Sequence, residues 1–353
     1  TEITELLAGE CFEVRGSTAT QCIAWNPVAI AADRRSGAGA ESAQRLLDVT
    51  RRCIDAWSSV HPRILLCLSG GLDSAIILGC LAASSGDSTV ICINHHADDA
   101  ESDERTYARL AAERAGVTLI EAKWDATTFG FDSRMLALPP LPKPGYSQCA
   151  RLMQLESLNA VVERHAADAV WKGQGGDHLF LKASGIACAA DFFIERGIAP
   201  GLFRAVGDEA RLASQPYASV FRSALSVRHG RRRDARNRSP SRPPCFLHPE
   251  IPKSDLDRQI LHPWLMDDRA LPPGKRRHVE LIADVTNRHR HLPDKELAYE
   301  HHPLLSQPII EQCLRIPTYR LLQGGRHRSL AREAFADFVP SEILGRESKG
   351  GTT

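Results

Sequence analysis

Two glycine-rich turns carry the residues best suited to chemistry. The first reads Ser69-Gly70-Gly71-Leu72-Asp73-Ser74 and lies between an apolar run, 64–68, and a small-residue helical pattern, 74–83. Glycines there let the backbone approach an anion closely. The start of a helix offers unpaired N–H groups at the positive end of its dipole. Ser69 and Ser74 add hydroxyl donors. Asp73 would repel a bare phosphate, so its place in the turn points to Mg²⁺ held against a polyphosphate. The chain has no Gly-x-x-x-x-Gly-Lys-Ser/Thr, which argues against a kinase-type loop built around a γ-phosphate. The second turn, Gly173-Gln174-Gly175-Gly176-Asp177, follows another strand-like run, 168–172.

These turns need a scaffold that brings them together. The runs ILLCL (64–68), TVICIN (89–94), 117–121 and DAVWK (168–172) read as buried strands. Helical patterns separate them: one is capped by Asp103 and stopped by Gly116, and a longer one spans 148–165. Alternation of apolar strands with helices predicts an α/β fold with a doubly wound parallel sheet. In such sheets a ligand lies at the carboxyl ends of the strands, where both turns fall. Upstream, 10–14 and 21–25 are predicted to pair as a hairpin, and 41–58 to form a helix. The arginine-dense, proline-broken stretch 228–244 reads as an exposed loop before a helical C-terminal part. The acidic run Asp98, Asp99, Glu101, Asp103 and Glu104 reads as a solvated helix start rather than a metal site.

The 353 residues carry 44 Lys plus Arg against 43 Asp plus Glu, so no global charge draws the chain to nucleic acid or an anionic membrane. Ten cysteines are scattered without a Cys-x-x-Cys pair. They read as small buried side chains in a reducing cytosol, not as a disulfide frame or zinc site. The longest apolar run, 75–83, is too short to span a bilayer, and a cytoplasmic protein is the expectation.

The turn Ser69–Ser74 resembles the pyrophosphate-binding loop of adenine nucleotide α-hydrolase-like enzymes, which cleave ATP between its α and β phosphates. That resemblance implies a sheet of their type with an added helical C-terminal part, and ATP and Mg²⁺ as cofactors. The turn 173–177 is similar to the Gly-Glu-Gly-(Ala/Ser)-Asp-Glu signature of asparagine synthetases. It implies that Asp177 joins Asp73 as a metal carboxylate. It also implies that Leu68, Ile93, Lys172, Gly173 and Gln174 lie around the nucleotide beside Ser69, Gly70, Gly71, Leu72 and Ser74. The segments His302-Pro303-Leu304-Leu305 and 308–311, and the patterns 329–335 and 340–344, resemble further synthetase segments. Ser348-Lys349-Gly350 places Lys349 where the family keeps a lysine on the phosphates. The resemblance covers 41–353. Residues 1–40 resemble the tail of a glutaminase-like domain whose upstream part lies outside this chain.

Two departures narrow the group. Gln174 and His178 stand where asparagine synthetases carry glutamates, and Gln174 cannot serve as a carboxylate base. GQGGDHLF (173–180), together with LHPWL (261–265), LPPGKRRH (271–278) and SKGGTT (348–353), resembles the lasso peptide cyclases, a macrolactam synthetase branch of the family. That resemblance implies adenylation of an Asp or Glu side chain in a precursor peptide, whose α-amine then displaces AMP. A leader-binding protein and a leader peptidase are the implied partners. Glu300, with Tyr299 beside it, is the candidate base or amine anchor. The alternatives are an asparagine or β-lactam synthetase acting on a small molecule, and a nucleotide-binding scaffold without activity.

Overall fold

The computed structural model describes residues 6–33, 39–96, 103–123, 147–183, 185–227, 262–267, 269, 271–288 and 298–347. Lys349, the stretch 228–244 and Asp98, Asp99 and Glu101 lie outside the described residues, as do Leu261 and 348–353. The chain divides into two compact units.

One unit comprises residues 43–176, 288–310 and 331–353 and contains the predicted sheet. Its strands are β3 (Arg63–Cys67), β4 (Thr89–His96), β5 (Thr118–Lys123), β6 (Ala169–Lys172) and β7 (Tyr299–His301). Their order is β5-β4-β3-β6-β7, and every pairing is parallel. The chain therefore leaves β3 in one direction through β4 and β5. It then returns to the other side of β3 as β6 and β7. That reversal is the doubly wound topology, with its switch point between β3 and β6.

Both faces of the central strand are apolar, as burial on two sides requires. Leu65 packs with Ile93 and Val170 against Leu158, Val161 and Val162 of the helix Ser147–His165. Ile64 and Leu66 point to the other face and are equally buried. The helix Leu72–Ala82 is apolar on nearly all sides and is a core helix rather than a surface one. A Cβ on its Gly79 would collide with the carbonyl of Phe338, so the glycine permits close backbone packing there. The helix Arg105–Ala115 ends at Gly116, which takes a left-handed conformation (φ 66°) and closes it with N–H bonds to Ala112 and Glu113.

β7 was not expected as a strand. It spans three residues, and its partner is the edge of β6.

The other unit comprises residues 1–42, 177–287 and 311–330. Its core joins the helices Cys188–Arg196, Pro200–Ala213 and Tyr217–Ser226 through Phe193, Leu202, Val206 and Val220. The expected hairpin forms as β1 (Glu10–Arg15) and β2 (Thr18–Ile23). Its second strand starts three residues earlier than predicted, because the two-residue turn Gly16-Ser17 sets Arg15 opposite Thr18. Trp25 leaves the hairpin, meets Trp264 edge-on at 5.2 Å and donates to Glu311 at 3.0 Å.

The cysteines divide. Cys80, Cys92, Cys188 and Cys313 are buried as expected, but Cys11 and Cys22 on the hairpin are exposed.

Candidate active site

The first turn leaves β3 and enters the helix Leu72–Ala82 through Gly71. Gly71 is the N-cap and makes no side-chain capping bond. A glycine cap puts no side chain of its own over the first N–H groups of the helix, an arrangement that suits an anion. Gly70 takes φ +76°, and a Cβ there would lie 2.6 Å from the Glu104 carbonyl oxygen. Only glycine meets both conditions. Ser69 and Ser74 brace the turn from inside: their hydroxyls lie 3.2 Å apart, and the Ser74 hydroxyl donates to the Gly71 carbonyl at 3.2 Å. The Gly71 N–H donates to the Ser69 hydroxyl at 3.3 Å.

Leu68 and Ile93, both predicted around the nucleotide, meet through their backbones: the Leu68 N–H donates to the Ile93 carbonyl at 2.8 Å. The Leu68 carbonyl accepts the Asn94 side-chain amide at 2.7 Å. Asn94 is buried, and among the described residues its Oδ1 has no hydrogen-bond partner. Sequence reading passed over Asn94, which looks like any strand-end polar residue.

The second turn comes against the first. A Cβ on Gly173 would lie 2.7 Å from the Ser74 nitrogen and 3.0 Å from its Cα. A Cβ on Gly176 would strike the Asp73 carboxyl group. These glycines therefore let the turn after β6 reach the first helical turn, directly over the switch point. Asp73 is buried there at 8% exposure. Gln174 is exposed. Asp177 pairs with Arg328 at 2.8 Å. Arg328 is buried and sits at φ 58°, an uncommon conformation for a long side chain. No motif pointed to it.

At the far side of β6, Lys172 and Glu300 form an ion pair at 2.8 Å, across a sequence separation of 128 residues. His302 approaches the other Glu300 oxygen at 3.2 Å. Burial pushes the Glu300 carboxyl upward, but the His302 hydrogen bond and the Lys172 charge outweigh it and hold the group well below its usual range. A carboxylate held so low is a poor proton acceptor and a good anchor for a cation. Tyr299 is 75% exposed, with its ring 6.5 Å from that of His301.

The described chain ends just short of Lys349. Arg346 is tied down by Glu104 at 2.7 Å and lies 4.2 Å over the Tyr107 ring. Arg332 donates to the carbonyls of Ile343, Leu344 and Arg346. Glu104 and Tyr107 are also the residues that back Gly70. Asp103 binds Arg105 at 2.7 Å. Hydrogen bonds from the Arg105 side chain and backbone hold its carboxyl down at about 2. Among the described residues no group of three or more His, Cys, Asp or Glu side chains is arranged to hold a metal.

A parallel α/β sheet with two glycine turns over its switch point defines a nucleotide-binding fold. Residues 46–353 match the asparagine synthase family, and the chain belongs to it. The family's chemistry is ATP-dependent amidation through adenylation, so the chain is of ligase type. No curated protein matches it. Among solved structures, the U34-tRNA thiolase NcsA from Methanococcus maripaludis with its 4Fe-4S cluster is similar at 14% identity and a TM-score of 0.31. That match covers 76% of this chain and 87% of the thiolase chain. Among the described residues no helix is long and apolar enough to cross a membrane.

Proposed function

We propose that the chain adenylates an Asp or Glu side chain of a precursor peptide, and that the peptide's own N-terminal amine then closes a macrolactam. The reading rests on GQGGDHLF at the turn after β6. There Gln174 and His178 stand in place of the two acidic residues that asparagine synthetases present. Without them the turn lacks the carboxylates suited to handling ammonia. A folded peptide brings amine and acyl group together, which replaces a bimolecular encounter by an entropically prepaid one.

In this reading the peptide carboxylate oxygen attacks the α-phosphorus of ATP. The α–β P–O bond breaks and pyrophosphate leaves. The amine nitrogen then attacks the acyl carbon, the bond to AMP breaks, and the amine proton passes to solvent. The N–H groups at the start of the helix Leu72–Ala82 would hold the phosphates. Leu68, Ile93, Lys172, Gly173 and Gln174 would lie along the nucleotide. Asp73 is a hard oxygen donor that fits Mg²⁺, which would supply charge neutralisation on the pyrophosphate, and Asp177 would be the second carboxylate that the family resemblance implies. Asp73 is buried beside a glycine whose Cβ would fill the space, as a close-fitting cation site needs. Lys349 would offset the developing negative charge. Glu300 would anchor the peptide ammonium before its deprotonation, with the Tyr299 hydroxyl available from solvent. A leader-binding protein and a leader peptidase would deliver the trimmed peptide.

The test is to supply ATP, Mg²⁺ and a leader-free peptide with a free N-terminus and an internal Asp or Glu. The product should be lighter by one water, about 18 Da. Acetylating the amine should stop ring closure. Asparagine formed from aspartate and ammonia, with no dehydrated peptide, would replace this reading with a small-molecule synthetase.

A further inference from the structure

The antiparallel register of the hairpin sets Cys11 directly opposite Cys22. They are the exposed cysteines among those described; the others are buried or partly so. Two residues along the ladder, the Ala24 N–H donates to the Gly9 carbonyl at 2.8 Å. Alternation from that pair makes Cys11 and Cys22 a hydrogen-bonded pair, with Cα atoms about 5.5 Å apart. That spacing lies inside the window of about 4.4–6.8 Å that a disulfide needs, and directly opposed side chains share one face. Their face carries Glu13, Arg15, Thr18 and Thr20, all exposed, so oxidants and reductants have access. Neither strand buries a side chain deeply, so a cross-link here would displace no core.

We propose that Cys11 and Cys22 form a reversible disulfide, a modification site independent of the adenylation reading. The oxidant class is a low-molecular-weight disulfide. One cysteine thiolate attacks a sulfur of that disulfide and expels a thiol, leaving a mixed disulfide. The second thiolate attacks the protein sulfur of the mixed disulfide and expels the second thiol. The protein loses two thiol hydrogens, and the oxidant is reduced to two thiols. An exposed disulfide of this kind is labile and returns to the dithiol when the thiol pool is reducing.

The test uses the whole chain, equilibrated with oxidised and reduced glutathione at stepped ratios, alkylated and digested with trypsin. Arg15 lies between the two cysteines, so the cross-link appears as a peptide ending at Arg15 joined to one beginning at Gly16. That linked pair should form within monomers and exceed doubly glutathionylated hairpin by about tenfold, because neighbouring thiols have a high effective concentration. It should vanish on reduction. Cys11→Ser should remove it and leave Cys22 carrying a single glutathione. A hairpin that takes up glutathione at both positions without a linked pair would overturn the proposal. So would a link found only in dimers.

Discussion

Replacing Gly173 by alanine probes the meeting of the two turns most sharply. The new methyl group would sit 2.7 Å from the Ser74 nitrogen and 3.0 Å from its Cα, both backbone atoms that no rotamer change can move. Ordinary van der Waals contact begins near 3.4 Å, so the end of β6 must draw back from the helix start by about 0.7 Å. Overpacking of this kind costs about 1–3 kcal/mol of stability. For a chain of this size that is a fall of up to about 10 °C, at roughly 2–4 °C per kcal/mol at most. Catalysis should suffer by a comparable free energy, because a misplacement of about 1 Å costs on the order of 100-fold. A drop in kcat/KM for pyrophosphate release of roughly 10- to 100-fold is therefore expected. Gly345→Ala is the control: among the described residues nothing lies within 4 Å of a Cβ there. It should leave both turnover and melting within about 0.5 kcal/mol of the parent. Parent-like turnover and melting in Gly173→Ala would mean that the two turns do not approach each other, and the crevice over the switch point would be lost.

Glu300→Gln should cost about 1.5–3 kcal/mol at neutral pH, the worth of a charge-assisted hydrogen bond in a largely enclosed pair. Glu300 is held below its ordinary value of 4.5, so the unfolded chain takes up the proton first as pH falls. Its contribution is full above that value and lost below it. Urea midpoints should therefore fall more steeply for the parent than for Glu300→Gln between about pH 5 and pH 3; parallel curves would count against the Lys172–Glu300–His302 network. In the other unit, Asp191 is buried, accepts from the Gly274 N–H at 2.7 Å and from the Thr318 hydroxyl at 2.6 Å, and is pushed up by burial. Lys275, buried beside it, donates to the Ile316 carbonyl. Lys275→Ala should destabilise by about 1–3 kcal/mol, because it leaves the Ile316 carbonyl without its donor while the buried carboxyl can take up a proton in place of its cation; an unchanged midpoint in chemical denaturation would remove the cation from the network.

Four of the five sheet strands were legible because a strand buried on two faces is a short continuous apolar run, as in ILLCL and TVICIN. The fifth, Tyr-Glu-His, has no such run. Its pairing comes from the edge of β6, and in sequence its residues stood out as chemistry rather than as structure. The glycine turns were visible for the same reason they work, since close backbone approach leaves glycine as its signature. Partnerships across the chain left no local trace. Lys172 was read as lying around the nucleotide, yet its side chain meets Glu300. Nothing near Asp177 announced Arg328, and Asn94 shows its use only through the Leu68 carbonyl. The cysteines were read together as buried. Register alone distinguishes Cys11 and Cys22, because facing positions in a hairpin depend on the turn.

Identifying the nucleotide product tests the proposed chemistry most directly. With ATP, Mg²⁺ and the precursor peptide, turnover should release AMP and pyrophosphate in equal amounts, and Asp73→Asn should abolish that release while leaving the melting temperature nearly unchanged. Release of ADP and phosphate instead, or undiminished turnover in Asp73→Asn, would contradict an adenylation site at the turn Ser69–Ser74.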